Sequence, residues 1–127
     1  MILSSLYIAP TKNMGRAVFT SESIPKGTLI EVSPVIVMDA DERTLLDQTL
    51  LHDYIFEWGD RRKQCCVALG YVSMYNHSYE SNCEYEMEYG KRLMTIKTVK
   101  DIKKGEELFV NYNAKPDDDT KVWFDTH

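Results

Sequence analysis

Between Cys83 and Tyr89 the chain alternates without a break, Cys-Glu-Tyr-Glu-Met-Glu-Tyr, and this period of two constrains the fold more than any other feature. Successive side chains of an extended strand point to opposite faces, so Tyr85, Met87 and Tyr89 share one face and Glu84, Glu86 and Glu88 the other. Gly90-Lys91 then offers a turn, and residues 93–98, carrying Thr and Ile, return as the partner strand. Residues 83–98 are therefore expected to form a hairpin.

Most other segments also read as short strands punctuated by turns, which predicts a mainly β domain with one or two short helices. The one helix candidate spans residues 41–51, with Asp39 or Asp41 as cap and Leu45, Leu46, Leu50 and Leu51 as its apolar positions. A short helical turn is expected over residues 71–75. Ser23-Ile24-Pro25-Lys26-Gly27-Thr28-Leu29-Ile30 is echoed by Asp101-Ile102-Lys103-Lys104-Gly105-Glu106-Glu107-Leu108, each a strand-turn-strand clip. A structural repeat and a coincidence of common Lys-Gly turns both remain open at this length.

A chain of 127 residues, 43% hydrophobic and 28% charged, has the composition of one domain with a single core, and residues 1–127 are read as such. Uninterrupted apolar runs such as Val35-Ile36-Val37-Met38 are too short to span a bilayer, and no segment resembles a secretory signal, so an intracellular protein without a membrane partner is expected. The three cysteines lack the C-x-x-C spacing of a zinc or redox site, which predicts free thiols and no structural metal. A net charge of −5 argues against direct nucleic-acid binding and for a basic partner. Acidic clusters at Asp39, Asp41 and Glu42, at Glu84, Glu86 and Glu88, and at Asp117-Asp118-Asp119 read either as solvated faces or, summed, as a field that steers a Lys- or Arg-rich peptide.

Two further segments carry chemistry. Met74-Tyr75-Asn76-His77-Ser78-Tyr79-Glu80-Ser81-Asn82-Cys83 is followed, further on, by Gly105-Glu106-Glu107-Leu108-Phe109-Val110-Asn111-Tyr112. Taken alone, an Asn-His-Ser run suits a turn and Gly-Glu-Glu-Leu a turn into a strand. Taken together and in order, they resemble the paired motifs of the SET-domain protein-lysine methyltransferases, written there roughly as N-H-S-C-x-P-N and G-E-E-L-x-x-D-Y. Met14-Gly15-Arg16-Ala17-Val18-Phe19 and the aromatic strand Tyr54-Ile55-Phe56-Glu57-Trp58 extend the resemblance from about Tyr7 to Trp123.

The resemblance implies a pseudoknotted, β-clip-like SET fold in which the segment ending at Tyr112 meets Asn76 and His77. It implies S-adenosylmethionine as cofactor, passed by the backbone of Met14, Gly15, Arg16 and Ala17, with Gly15 permitting close approach. The Asn76 side chain and the His77 backbone hold the cofactor's two ends, and Tyr54 lies along it. Tyr112 is the implied catalytic tyrosine, and Tyr85, Val110 and Tyr112 line the lysine channel. The chain departs from the family pattern at Ala17 for a second glycine, Tyr79 for Cys, Ser81 for Pro and Asn111 for Asp. No cysteine follows Tyr112, so the zinc-binding tail of many relatives is absent, and residues 113–127 become a closing tail in which Trp123, with Phe124 as substitute, covers the adenine.

The implied reaction is in-line transfer of a methyl group to a lysine amine, which demands alignment and a neutral amine rather than a covalent nucleophile. A free lysine, with a pKa of about 10.4, is mostly protonated at neutral pH, and a downward shift of about three units is worth roughly 4 kcal/mol. Desolvation among tyrosines and an approaching sulfonium both push that way. The competing reading is an inactive module of the same fold holding a basic peptide by strand addition; a structural β-clip domain is a third. The sequence leaves open the protein substrate, the number of methyl groups, self-pairing, and location, cytoplasmic for a bacterial protein and nuclear for one acting on histones.

Overall fold

A computed structural model describes residues 1–59 and 63–112, and these carry nine strands and one short α-helix. In chain order they are β1 (Leu6–Pro10), β2 (Arg16–Thr20), β3 (Leu29–Met38), α1 (Ala40–Leu46), β4 (Ile55–Trp58), β5 (Gln64–Ala68), β6 (Asn76–His77), β7 (Cys83–Glu88), β8 (Leu93–Thr98) and β9 (Glu107–Val110). The short sheets join edge to edge in one hydrogen-bonded path, β1-β2-β9-β7-β8-β3-β5-β4, with β6 added alongside β9. The mainly β architecture is the one expected.

The alternating segment is β7, paired with β8 so that Tyr85 faces Ile96 and Met87 faces Met94. Tyr85, Ile96 and Met94 are buried, while Glu86 and Glu88 stay exposed, as the period of two requires. The turn differs in detail. Tyr89–Lys91 forms a 3-10 turn, and the left-handed residue is Arg92 at φ 53 rather than Gly90. The change of hand comes at the end of that turn, where Arg92 N–H donates to the Tyr89 carbonyl.

β3 changes partner along its length, with residues 29–34 on β8 and residues 35–38 on β5. Pro34, which has no N–H to give to a ladder, stands at the change-over. Beyond β3, Asp39 closes α1 with a capping box: its carboxylate accepts from Glu42 N–H at 2.9 Å, and Glu42 accepts from Asp39 N–H at 3.3 Å. The helix is shorter than residues 41–51. It ends at Leu46, and Thr49, extended at φ −120 and ψ 171, starts a separate 3-10 turn over Leu50–Asp53 by accepting from Leu51 N–H. No packed face holds the two pieces in one helix, because neither contains a buried residue. The other expected turn is present as a 3-10 turn over Val72–Met74.

The core is filled by Val18 of β2, Ile30 of β3, Val72 and Tyr75 around the Val72–Met74 turn, Met94 and Ile96 of β8, and Leu108 and Val110 of β9. The two echoing clips lie against each other: Ile24 and Ile102 exchange both backbone hydrogen bonds at 2.8 Å, and Lys26 N–H donates to the Asp101 carboxylate. This pairing delivers β9 between β2 and β7. There β9 also runs parallel to β6, with Asn76 beside Phe109 and His77 beside Val110. The two motifs, remote in sequence, become neighbours.

Candidate active site

Tyr112 follows β9 and is held at three points by two stretches of chain, residues 75–77 and β7. Its N–H donates to His77 Nδ1 at 3.1 Å, its carbonyl accepts from the Tyr85 hydroxyl at 2.9 Å, and its own hydroxyl donates to the Tyr75 carbonyl at 2.8 Å. Its ring packs edge-on to Phe56 at 6.1 Å and lies 5.2 Å from the His77 ring, while Phe56 also meets Tyr85 at 5.5 Å. Burial, reinforced by nearby Tyr54 and Asp53, pushes the Tyr112 phenol up to about 12. The hydroxyl is therefore neutral at physiological pH. With its proton given to Tyr75, it faces any other group as a hydrogen-bond acceptor.

His77 is an orienting residue here. A backbone N–H can only donate, so Nδ1 is the unprotonated ring nitrogen and the proton sits on Nε2. Tyr79, which replaces the family's Cys, packs edge-on against this ring at 4.4 Å. Asn82 brackets the strand from its side chain, donating to the Glu107 carbonyl and accepting from Phe109 N–H at 2.8 Å.

Asn76 is half-buried, and its Nδ2 donates to the Glu107 carboxylate at 3.0 Å. Desolvation raises the Glu107 carboxyl above its ordinary value, with the Asn76 bond acting against it. Met14 and Gly15 lie in the loop between β1 and β2, which Thr11 holds from within: it accepts from Met14 N–H at 2.9 Å and donates twice to the Gly15 carbonyl. Gly15 has φ 69, and no atom lies within 4 Å of where a side chain would start. The glycine meets a backbone need and leaves open space beside the loop. Arg16 is exposed, whereas Ala17 is fully buried, so the methyl group that replaces a second glycine is absorbed by the core.

The other expected residues divide. Tyr54 is half-buried at the end of the Leu50–Asp53 turn, just before β4. Tyr85 is a core residue whose hydroxyl donates to the Tyr112 carbonyl. Val110 is 1% exposed inside the core between His77 and Cys83, and Phe56, unmarked within its aromatic segment, is the ring that packs against both tyrosines. Trp123, Phe124 and the rest of residues 113–127 lie outside the described residues, as do Asp117, Asp118 and Asp119. The remaining acidic groups are partly spoken for, since Asp39 and Glu42 cap a helix and Glu84 lies 3.8 Å from Lys97. Cys65, Cys66 and Cys83 are buried free thiols; burial pushes Cys66 and Cys83 up to about 12 and raises Cys65, so none is a nucleophile at neutral pH.

The family profile of the SET domain matches residues 15–113. Over 126 residues, 98% of this chain and 80% of the relative, the sequence is 32% identical to a Schizosaccharomyces pombe histone-lysine N-methyltransferase specific for H3 lysine-37. A Plasmodium falciparum protein assigned as a histone methyltransferase superposes with a TM-score of 0.66 at 25% identity, covering 94% of this chain and 96% of that one. The S-adenosylmethionine-bound Polycomb Repressive Complex 2 of Chaetomium thermophilum superposes with a TM-score of 0.71 over 88% of this chain and 16% of that one; at 21% identity, this likeness speaks for the fold alone.

Proposed function

The chain belongs to the SET-domain family, and on that premise we propose that it methylates lysine in a histone tail, with Tyr112 placing the amine. The activity class is S-adenosylmethionine-dependent protein-lysine N-methyl transfer. A histone substrate is inferred from the fission-yeast relative and agrees with the net charge of −5, which suits a basic tail; it implies a nuclear location.

The residues present fit the cofactor. Glu107 takes the Asn76 amide N–H, so the carboxamide oxygen is what Asn76 offers to a cationic amine, and the loop at Met14 and Gly15 presents backbone beside open space. Bound there, S-adenosylmethionine supplies an electrophilic methyl on a sulfonium. The His77 backbone and Tyr54 complete the proposed cleft, and Trp123, on the sequence reading, covers the adenine. Arg16 and Ala17 contribute backbone only.

The single observation that carries the mechanism is the three-point hold on Tyr112. A phenol that keeps its proton to about 12 is no general base, and its fixed hydroxyl accepts an N–H of the incoming amine, turning the lone pair toward the methyl. Phe56, packed against the rings of both Tyr85 and Tyr112, adds apolar ring surface beside the tyrosine, which disfavours the ammonium form there. Water then carries off the proton. A methyl-transfer assay on histone octamers and a lysine-rich peptide array, read by mass, is expected to give modified histone peptides and the number of methyl groups together. Transfer confined to non-histone lysines refutes the substrate reading, and an absence of transfer with intact cofactor binding favours the inactive module.

A further inference from the structure

Glu31 lies on β3, fully buried, in a strand otherwise lined by apolar and hydroxyl side chains. One carboxyl oxygen accepts from the Tyr75 hydroxyl at 2.9 Å, and the other accepts from Ser33 Oγ at 2.6 Å and from Tyr71 N–H at 2.8 Å. Three donors converging on one buried carboxyl group are a costly arrangement, kept only where its partners are all in place. The packing around it is equally strict. Gly70 has φ 70, and any methyl group there would collide with the Glu31 carboxyl and the Ser33 hydroxyl.

Tyr75 joins this network to the active site. Its ring is fully buried and its phenol ends on Glu31, while its own backbone carbonyl receives the Tyr112 hydroxyl at 2.8 Å. The residue therefore has one end fixed by β3 and the other aimed at the tyrosine. From this we infer that Glu31 and Tyr75 are positioning residues for Tyr112: the buried carboxyl group fixes the Tyr75 ring, and through it the carbonyl that sets where the catalytic hydroxyl stands. Loosening the Tyr75 ring lets the carbonyl tilt, and a misplacement of tenths of an ångström then lowers the fraction of bound amine that is aligned. Binding is expected to change little, because the side-chain hydrogen bonds of Glu31 and Tyr75 go to each other, Ser33 and Tyr71 rather than to Met14, Gly15, Asn76 or His77.

This inference rests on Tyr112 being the catalytic residue, and the test separates the two. The full chain is compared with Tyr75→Phe, Glu31→Gln and the double variant, with Tyr112→Phe alongside. Tyr75→Phe removes a single oxygen and keeps the ring. It is expected to stay folded by circular dichroism and to hold cofactor affinity and peptide KM within about twofold, while kcat falls about tenfold. The double variant is expected to be no slower than the slower single one, since both cut the same link. A folded Tyr75→Phe with unchanged kcat, beside a Tyr112→Phe slowed about a hundredfold, overturns the positioning role. Parallel losses of kcat, KM, affinity and melting temperature overturn it too, as a purely structural effect. If Glu31→Gln does not fold, Tyr75→Phe decides alone. Should Tyr112→Phe keep its turnover, the catalytic reading itself fails and this one with it.

Discussion

At the junction of β6 and β9, Tyr112 is tied through its N–H, carbonyl and hydroxyl to residues 77, 85 and 75, whereas α1 and the Leu50–Asp53 turn contain no fully buried side chain and rest on local caps and on the Arg43–Glu57 ion pair to β4. The first region is fixed by contacts between segments far apart in sequence. The second satisfies its own backbone locally and owes the core little. Opening such a locally held segment costs less than displacing a group shared by several strands. A residue that must align a lysine amine belongs in the first kind of region, and a surface that meets varied partners can sit in the second.

The sharpest way to break that contrast is Tyr112→Phe. Removing one oxygen is expected to lower turnover by about a hundredfold or more, some 2.7 kcal/mol, while cofactor affinity barely moves. Steady-state kinetics with calorimetric titration of the cofactor checks both. Near-normal turnover would mean that the three-point hold is structural only.

Next comes Asn76→Ala, which removes the carboxamide that Glu107 orients and leaves the Glu107 carboxyl without its N–H donor. Cofactor binding is expected to weaken by about 1 to 3 kcal/mol. Unchanged affinity in a folded variant would demote the motif to a turn.

The alkaline pH response distinguishes the regions through buried protons. Cys66 and Cys83 rise from 9.0 to about 12 and Tyr112 from 10.0 to about 12, so the folded state keeps protons that the unfolded chain gives up. Their contribution to stability is complete below pH 9 and is lost as pH rises toward 12. Each group adds a slope of about 1.4 kcal/mol per pH unit once its unfolded counterpart ionises. Urea melts across that range should steepen from pH 9, and Cys83→Ala should remove one thiol's share of the slope. An identical slope in that variant would contradict the assignment.

How much of this was legible depended on what each signal measures. Periodicity reports a face, and it gave the β7–β8 hairpin because Tyr85, Ile96 and Met94 are buried while Glu86 and Glu88 are not. The same reasoning overextended α1, because Leu45 and Leu50, taken as apolar positions of one helix, are 66% and 78% exposed and give it no packed face. Motif resemblance located Asn76, His77 and Tyr112, which meet only through the parallel pairing of β6 with β9, a contact no local pattern encodes. Glu31 and Phe56 were passed over: an acid within an apolar strand reads as a solvated side chain unless its donors, supplied here by residues 33, 71 and 75, are known.

Turning to the locally held region, Asp39→Ala removes one half of the capping box and frees one orphan donor, the Glu42 N–H, at the start of α1. A loss of about 1 kcal/mol is expected if the cap acts on the global fold. Hydrogen exchange should show faster opening confined to residues 40–46, with turnover little changed. A collapse of activity would place this helix in the rigid part of the molecule.

The smallest effect is the one expected of Leu50→Ser, and it tests the contrast from the other side. A leucine that is 78% exposed has already given up nearly all the transfer free energy it could contribute, so replacing it removes little that folding had gained. Global stability should stay within about 0.5 kcal/mol of the parent, and the Thr49 cap, which accepts from Leu51 N–H, is left intact. A denaturant melt with unchanged slope is the measurement. A loss above about 1 kcal/mol would mean that the turn packs its leucines on apolar surface in solution, and the segment around α1 would then belong with the junction at Tyr112 rather than against it.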